Sequence, residues 1–121
     1  MRRRGRSAAI TLIGPGTVVE GDLRAEGGVR VEGAVLGSVY TEGDLEVART
    51  GRVEGREVRA RNVLVNGTVR AKVVAAGKLV LTKTGRLEGD VSAKALDIEA
   101  GAVFVGRSVT GEAAGVEDGD R

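Results

Sequence analysis

Apolar residues recur along this chain at intervals that alternate between 16 and 18 positions. The positions that define the repeat are Val19, Val35, Val53, Val69, Leu87 and Val103. All but the first stand two places after a glycine. A period of this length is typical of proteins built from stacked structural units, so the pattern predicts such an array over most of the chain.

Further columns of apolar or small residues appear when the repeats are aligned. They are Leu23, Val39, Val58, Val73 and Val91; Ala25, Thr41, Ala60, Ala75 and Ala93; Val29, Leu45, Val63, Leu79 and Leu96; and Val31, Val47, Val65, Leu81 and Ile98. The inward residues come in pairs two positions apart, which is the period of a β-strand. The segments are short and rich in valine, which favours strands over helices.

Glycines separate these segments and divide each repeat into three strands and three corners. The sequence therefore predicts an all-β, single-domain, triangular parallel β-helix (a β-solenoid) of about six coils, stacked ~4.8 Å apart. The rule for parallel crossovers favours a right-handed coil, although the pattern by itself leaves the handedness open.

Charged residues at the predicted outward positions test this alignment. Arg70 falls between Glu54 and Glu88 of neighbouring coils, which predicts attraction between the coils. The alignment also sets Arg56 beside Lys72, a pair of like charges that it does not explain.

Two outward apolar residues, Leu64 and Val80, are predicted to be neighbours. They are either scattered surface residues or a candidate lateral contact between rods.

The two ends of the array are predicted to lack caps, although soluble solenoids usually have them. The last repeat contains the sequence GAVFVG over residues 101–106, with the one phenylalanine of the chain and no charge. Phe104, which the alignment places outward, either folds over the end as a cap or belongs to an interface. The candidate polymer interface comprises Val103, Phe104, Val105 and Val109 at the C-terminal end and Ile10, Leu12 and Ile13 at the N-terminal end.

The solenoid domain is predicted to span residues 10–111. A basic tail over residues 1–9 and an acidic tail over residues 112–121 are predicted to be disordered. The candidate residues for contact with an anionic membrane surface are Met1, Arg2, Arg3, Arg4 and Arg6.

The amino-acid composition limits the kinds of function that this chain can have. The chain has no cysteine and no histidine, which excludes disulfides, thiol nucleophiles, imidazole bases and Cys or His metal ligands. We expect no cofactor and no enzymatic activity, and we interpret the available carboxylates as solvated charges. The absence of a signal peptide or a long apolar run predicts a cytoplasmic protein.

Two non-enzymatic alternatives to polymerisation remain at this point, a β-solenoid adaptor and a nucleic-acid-binding module. The basic start of the chain and a pI near 9.4 suggest the second. Nucleic-acid sites usually add aromatic stacking, and aromatic residues make up 2% of this chain, so we expect no nucleic acid partner.

An ordered set of motifs resembles the bactofilin family, the polymer-forming cytoskeletal proteins of bacteria, over about residues 10–111. These motifs are Ile13–Leu23 (IGPGTVVEGDL), Val31–Gly33 (VEG), Gly51–Gly55 (GRVEG), Gly85–Val91 (GRLEGDV) and Gly101–Phe104 (GAVF).

This resemblance implies a right-handed triangular β-helix that assembles end to end into filaments without nucleotide or metal. It implies head-to-head and tail-to-tail junctions, which give filaments without polarity. It also implies scaffold roles in cell shape, recruitment of cell-wall enzymes and attachment to the inner face of the membrane through an N-terminal segment.

Overall fold

The computed structural model describes residues 10–110 and contains 14 strands. The strands are β1 (Ile10–Ile13), β2 (Val18–Glu20), β3 (Leu23–Ala25), β4 (Gly28–Val31), β5 (Ala34–Leu36), β6 (Val39–Thr41), β7 (Asp44–Val47), β8 (Arg52–Ala60), β9 (Asn62–Val65), β10 (Thr68–Leu81), β11 (Arg86–Glu88), β12 (Val91–Ile98), β13 (Val103–Val105) and β14 (Ser108–Thr110). The predicted disordered tails lie outside the described residues.

The strands form three stacks, which we call the first, second and third faces. The first face contains β2, β5, the start of β8, the start of β10, β11 and β13. The second contains β3, β6, the end of β8, the middle of β10, the start of β12 and β14. The third contains β1, β4, β7, β9 and the ends of β10 and β12.

All of these pairings are parallel, and the chain visits the three faces in turn. A partial coil, five complete coils and a second partial coil make about six coils in all. The predicted all-β solenoid is therefore confirmed. Its right-handed sense stays a prediction.

The aligned apolar columns form the core. On the first face, Val35 pairs with Val53, Val53 with Val69 and Val69 with Leu87, and all four side chains are inaccessible to solvent. Because each inward side chain packs on its equivalent one strand spacing away, aliphatic residues fill nearly all of the narrow interior, with Thr41 as a buried polar exception.

The alternating repeat length has its origin in the corners between the third and first faces. The first five of these corners contain four, two, four, two and four residues, over residues 14–17, 32–33, 48–51, 66–67 and 82–85. The sixth corner, residues 99–102, again contains four residues and so breaks the alternation. Hydroxyl groups of the long corners bond to the short corners. The Oγ1 of Thr50 donates to the carbonyl oxygen of Glu32 at 2.8 Å, and the Oγ1 of Thr84 donates to that of Asn66 at the same distance.

The structure corrects the predicted like-charge pair. The third coil contains one extra residue, Arg56, and the register between β8 and β10 shifts there. As a result Lys72 lies beside Glu57 and not beside Arg56. The apparent repulsion was an alignment error of one residue.

Close packing at the corner between the first and second faces requires glycine. A Cβ atom on Gly55 would overlap the carbonyl oxygen of Gly37, and a Cβ atom on Gly37 would overlap that of Gly21. Main chain therefore stacks directly on main chain at this corner, with no space for a side chain.

We expect Gly55→Ala to lower the free energy of unfolding by about 1–3 kcal/mol, because the backbone of two coils must separate. The control is Gly14→Ala, since a Cβ atom on Gly14 would meet no atom within 4 Å. Thermal unfolding followed by circular dichroism measures both variants. Equal midpoints for the two variants would contradict the close stacking at Gly55.

Candidate assembly interfaces

Exposed large apolar side chains are concentrated on the end strands of the rod. Among the described residues they are Ile10, Leu12, Val18, Leu36, Ile98, Val103, Val105 and Val109, and all except Leu36 lie on strands that pair on one side only at the ends. Within residues 10–110, each end thus combines backbone groups that have no strand partner with apolar side chains, as do sheet edges that associate with another chain.

The C-terminal end differs from the sequence prediction by one residue. Phe104, and not Val103, pairs with Leu87 and continues the inward column of the first face. Its ring is half-buried and packs against the core. Val103 and Val105 flank it, and both are exposed. The predicted outward position of Phe104 is therefore wrong.

The corners explain this error. The corner over residues 99–102 repeats the four-residue length of the preceding one, where the alternation predicts two. The corner from the second face to the third is one residue shorter in the same coil, so that Ala95 already pairs with Lys78. The interval from Leu87 to Phe104 is consequently 17 residues. A shift of one residue exchanges the inward and outward sides of a strand.

The structure shows that Ile98 also belongs to the exposed apolar surface at the C-terminal end. Ile98 pairs with Leu81 on the third face, yet it is 43% exposed where Leu81 is 1% exposed. The alignment correctly predicts an inward position for Ile98. Among the described residues no further third-face strand follows it to cover the side chain, and this position in the last repeat could have identified it as an end residue. Val109 lies on the second face beside Ser92 and is exposed, pointing outward.

At the N-terminal end the three predicted residues differ in their surroundings. Ile13 pairs with Val31 and is buried in the core, so it supports the end from within. Ile10 and Leu12 are 70% and 57% exposed. Val18, which the sequence analysis did not single out, is 55% exposed on the neighbouring strand β2.

Between these ends, the first face is polar in the third to fifth coils. Glu88 binds Arg86 at 2.8 Å and Arg70 at 3.1 Å, and Arg70 also approaches Glu54, as the alignment predicted. The hydrogen bonds from Arg86 and then Arg70 lower the pKa of the Glu88 carboxyl group. Such exposed pairs add little stability, but they keep this side of the rod hydrated.

The candidate lateral contact is a pair of neighbours on the third face. Leu64 pairs with Val80, as predicted, and both side chains are half-buried. A patch of two half-buried side chains is small for an interface. Their role in lateral contact stays a prediction.

The candidate membrane-contact residues at the N-terminus, Met1 to Arg6, lie outside the described residues. Within residues 10–110, no helix is long and apolar enough to cross a membrane. Over the same range, no group of three or more acidic side chains is placed to hold a metal ion.

Comparison with known proteins gives a family and two similar structures. A model of the bactofilin family, described as polymer-forming cytoskeletal, matches residues 11–109. One match is a cryo-EM reconstruction of double helical filaments of Thermus thermophilus bactofilin, whose sequence is 57% identical to this chain. The match covers 84% of this chain and 99% of that chain, with a TM-score of 0.81. A crystal structure of a Thermus thermophilus bactofilin mutant, in which phenylalanine is replaced by arginine, has 52% sequence identity to this chain. The match covers 74% of this chain and 99% of that chain, with a TM-score of 0.71. No curated protein matches the chain.

The corrected register predicts different consequences for two neighbouring substitutions. Phe104→Ala should lower the free energy of unfolding by about 2 kcal/mol, because it removes half-buried core contacts. Val105→Ala should change it by less than about 0.5 kcal/mol, since that side chain faces outward. Thermal unfolding at two low protein concentrations separates these effects from assembly. A larger cost for Val105→Ala would restore the register that the sequence suggested.

Proposed function

The chain belongs to the bactofilin family of polymer-forming cytoskeletal proteins, and from this premise we propose that it polymerises through its two ends into filaments that need neither nucleotide nor metal. The observation that carries the proposal is the concentration of exposed apolar residues on end strands. The resemblance first seen in the sequence motifs is confirmed by the family match.

Two interactions support an end-to-end junction. The unpaired edges of the end strands can pair with those of another subunit and so continue the stack at its natural spacing of ~4.8 Å. Burial of the exposed part of Phe104 adds about 1 kcal/mol, because the ring is already half-buried within the subunit, and a symmetric junction counts this contribution twice. Both interactions need only the chain itself.

The order of the junctions is the second part of the proposal. We propose head-to-head and tail-to-tail contacts, as the family resemblance implies, so that the filament has no polarity. In such a filament the N-terminal ends of two subunits form one junction and the C-terminal ends form the next. Each junction is then self-complementary.

Two substitutions test this order. Phe104→Arg should block the C-terminal junction, because it would place unpaired charge in an apolar contact. Leu12→Arg should block the N-terminal junction for the same reason. In a non-polar filament each single variant still forms discrete dimers through its intact end, and the double variant is monomeric. Electron microscopy and sedimentation velocity measure the outcome.

The matched control is Leu36→Arg, since Leu36 is exposed and apolar but lies in the second coil. This variant should still form long filaments. Monomers from either single variant would show a polar, head-to-tail filament. Long filaments from Phe104→Arg would remove Phe104 from the junction altogether.

We further propose that the filament acts as a scaffold at the inner face of the membrane, where it recruits proteins such as cell-wall enzymes. Four arginines within the first six residues support the membrane contact, because each adds at most ~1 kcal/mol near an anionic surface. A filament repeats this weak tail along its length, which makes the total attraction useful.

Flotation with vesicles of anionic lipid tests this contact. The parent filament should float with the vesicles at low salt, and a variant with Arg2, Arg3, Arg4 and Arg6 replaced by serine should stay at the bottom. Vesicles of neutral lipid are the control. Equal flotation of the two proteins would contradict a role for these four arginines in membrane binding.

A further inference from the structure

The second face becomes basic towards the C-terminal end of the rod. From the third coil onward, this face and its two flanking corners form a surface that we call the basic side. Only two acidic residues, Glu57 and Asp90, lie on it among the described residues. Its exposed basic residues are Arg56, Arg59, Arg61, Lys72, Lys94 and Arg107. The basic side therefore has a clear excess of positive charge.

Half of these basic residues have no acidic partner within residues 10–110. Arg56, Lys72 and Lys94 take part in none of the ion pairs of that range, and each of the other three approaches one carboxylate, at 2.7–3.7 Å. On the first face of the third to fifth coils, by comparison, every arginine binds a glutamate. The basic side thus has positive charge that its own coils do not neutralise.

A shallow groove of about 320 Å³ lies on the basic side, next to the corner between the second and third faces. Arg59 and Arg61 are exposed on either side of the buried Ala60 and line it together. Val74 lines the groove in the fourth coil, and Glu42 lines it towards the N-terminal end. The groove therefore combines two guanidinium groups with small apolar surface, which suits a segment of acidic and small apolar residues.

The segment that follows the last strand has this composition. Residues 111–121 read GEAAGVEDGDR, with four acidic residues, three alanine or valine residues and one arginine. The strand before it, β14, lies on the second face, where Thr110 pairs with Ala93. Lys94 follows Ala93 directly at the corner. The acidic segment therefore begins on the basic side itself.

We propose that the acidic segment, residues 112–120, binds the basic side of its own subunit and runs back from the end of β14 to the groove. The path from the sixth coil to the third covers three strand spacings, ~14 Å. Seven residues of extended chain reach about 23 Å, so Glu117 and Asp118 can approach both Arg59 and Arg61. The attraction depends on charge and needs no single conformation of the segment.

The covalent connection favours this occupant over other anionic ones. A short tether gives the segment an effective concentration in the millimolar range, so exposed ion pairs of about 0.2–1 kcal/mol each are enough to hold it. An anionic membrane or a separate acidic protein has to displace a segment that is already in place. The bound segment neutralises the basic side, which leaves the N-terminal arginines as the main attraction of the subunit for an anionic surface.

The proposed tail-to-tail junction gives a second reason. Two acidic segments begin at each such junction, and their like charges repel if both stay there. Binding along the sides removes them from the junction and leaves the end strands open. This reason rests on the proposed function, whereas the charge pattern and the tether do not.

Disulfide formation between two introduced cysteines tests the contact, because the chain has no cysteine of its own. Val116→Cys labels the acidic segment. Lys72→Cys labels the basic side, and Lys78→Cys on the third face is the matched control. Both lysines are exposed in the fourth coil, and each is three residues from Ala75, which lies in the column that ends at Thr110. The segment is long enough to reach both positions.

At low salt, the Lys72→Cys pair should form its intrachain disulfide at least about threefold faster than the Lys78→Cys pair, since exposed ion pairs hold the segment on the basic side. In about 1 M salt, where the Debye length falls to about 3 Å, the two rates should become equal. Denaturing gels without reductant separate the intrachain product from linked dimers. Equal rates at low salt, or a preference that survives high salt, would overturn the proposal.

Charge reversal identifies the partners within the chain that contains the first cysteine pair. Arg59→Glu with Arg61→Glu should lower the rate to that of the control, and addition of Glu117→Arg with Asp118→Arg should restore it. Circular dichroism checks that each variant is folded. Reversals without effect would remove the groove from the contact, and linked dimers in place of the intrachain product would contradict binding within one subunit. The intrachain product forms in monomers and filaments alike, so failure of the end-to-end proposal leaves this test valid.

Discussion

The structure depends on one repeated contact, the packing of each inward side chain on its equivalent in the next coil. Val35, Val53 and Val69 show this contact on the first face, where none of them reaches solvent. The contact works only if the coils stay one strand spacing apart on all three faces. The corner glycines follow from that condition, because a Cβ atom at Gly55 would hold two coils apart. The absence of aromatic residues from the inward columns of the five complete coils follows as well.

The same contact gives the rod its unequal surfaces. Along the sides, outward residues meet water and form ion pairs such as Arg70 with Glu88. At the ends, the inward columns stop, and within residues 10–110 side chains such as Ile98 and Phe104 have a neighbour on one side only. A repeating coil by itself leaves its last turn open, which is why soluble solenoids usually have caps. The proposed polymer is the simplest way to bury both ends, since one subunit supplies what the other lacks.

The sequence by itself determined the solenoid, the three faces and the apolar columns, because inward residues must repeat wherever coils stack. It also located both apolar ends and the neighbouring pair Leu64 and Val80. It did not determine the last coil, where two corners change length together and turn Phe104 from an outward to an inward position. It also misplaced Arg56, because a local bulge leaves the total repeat length unchanged. Only the tertiary structure decides such shifts, since a strand takes the register that buries its side chains against the coil before it, whatever the spacing in sequence.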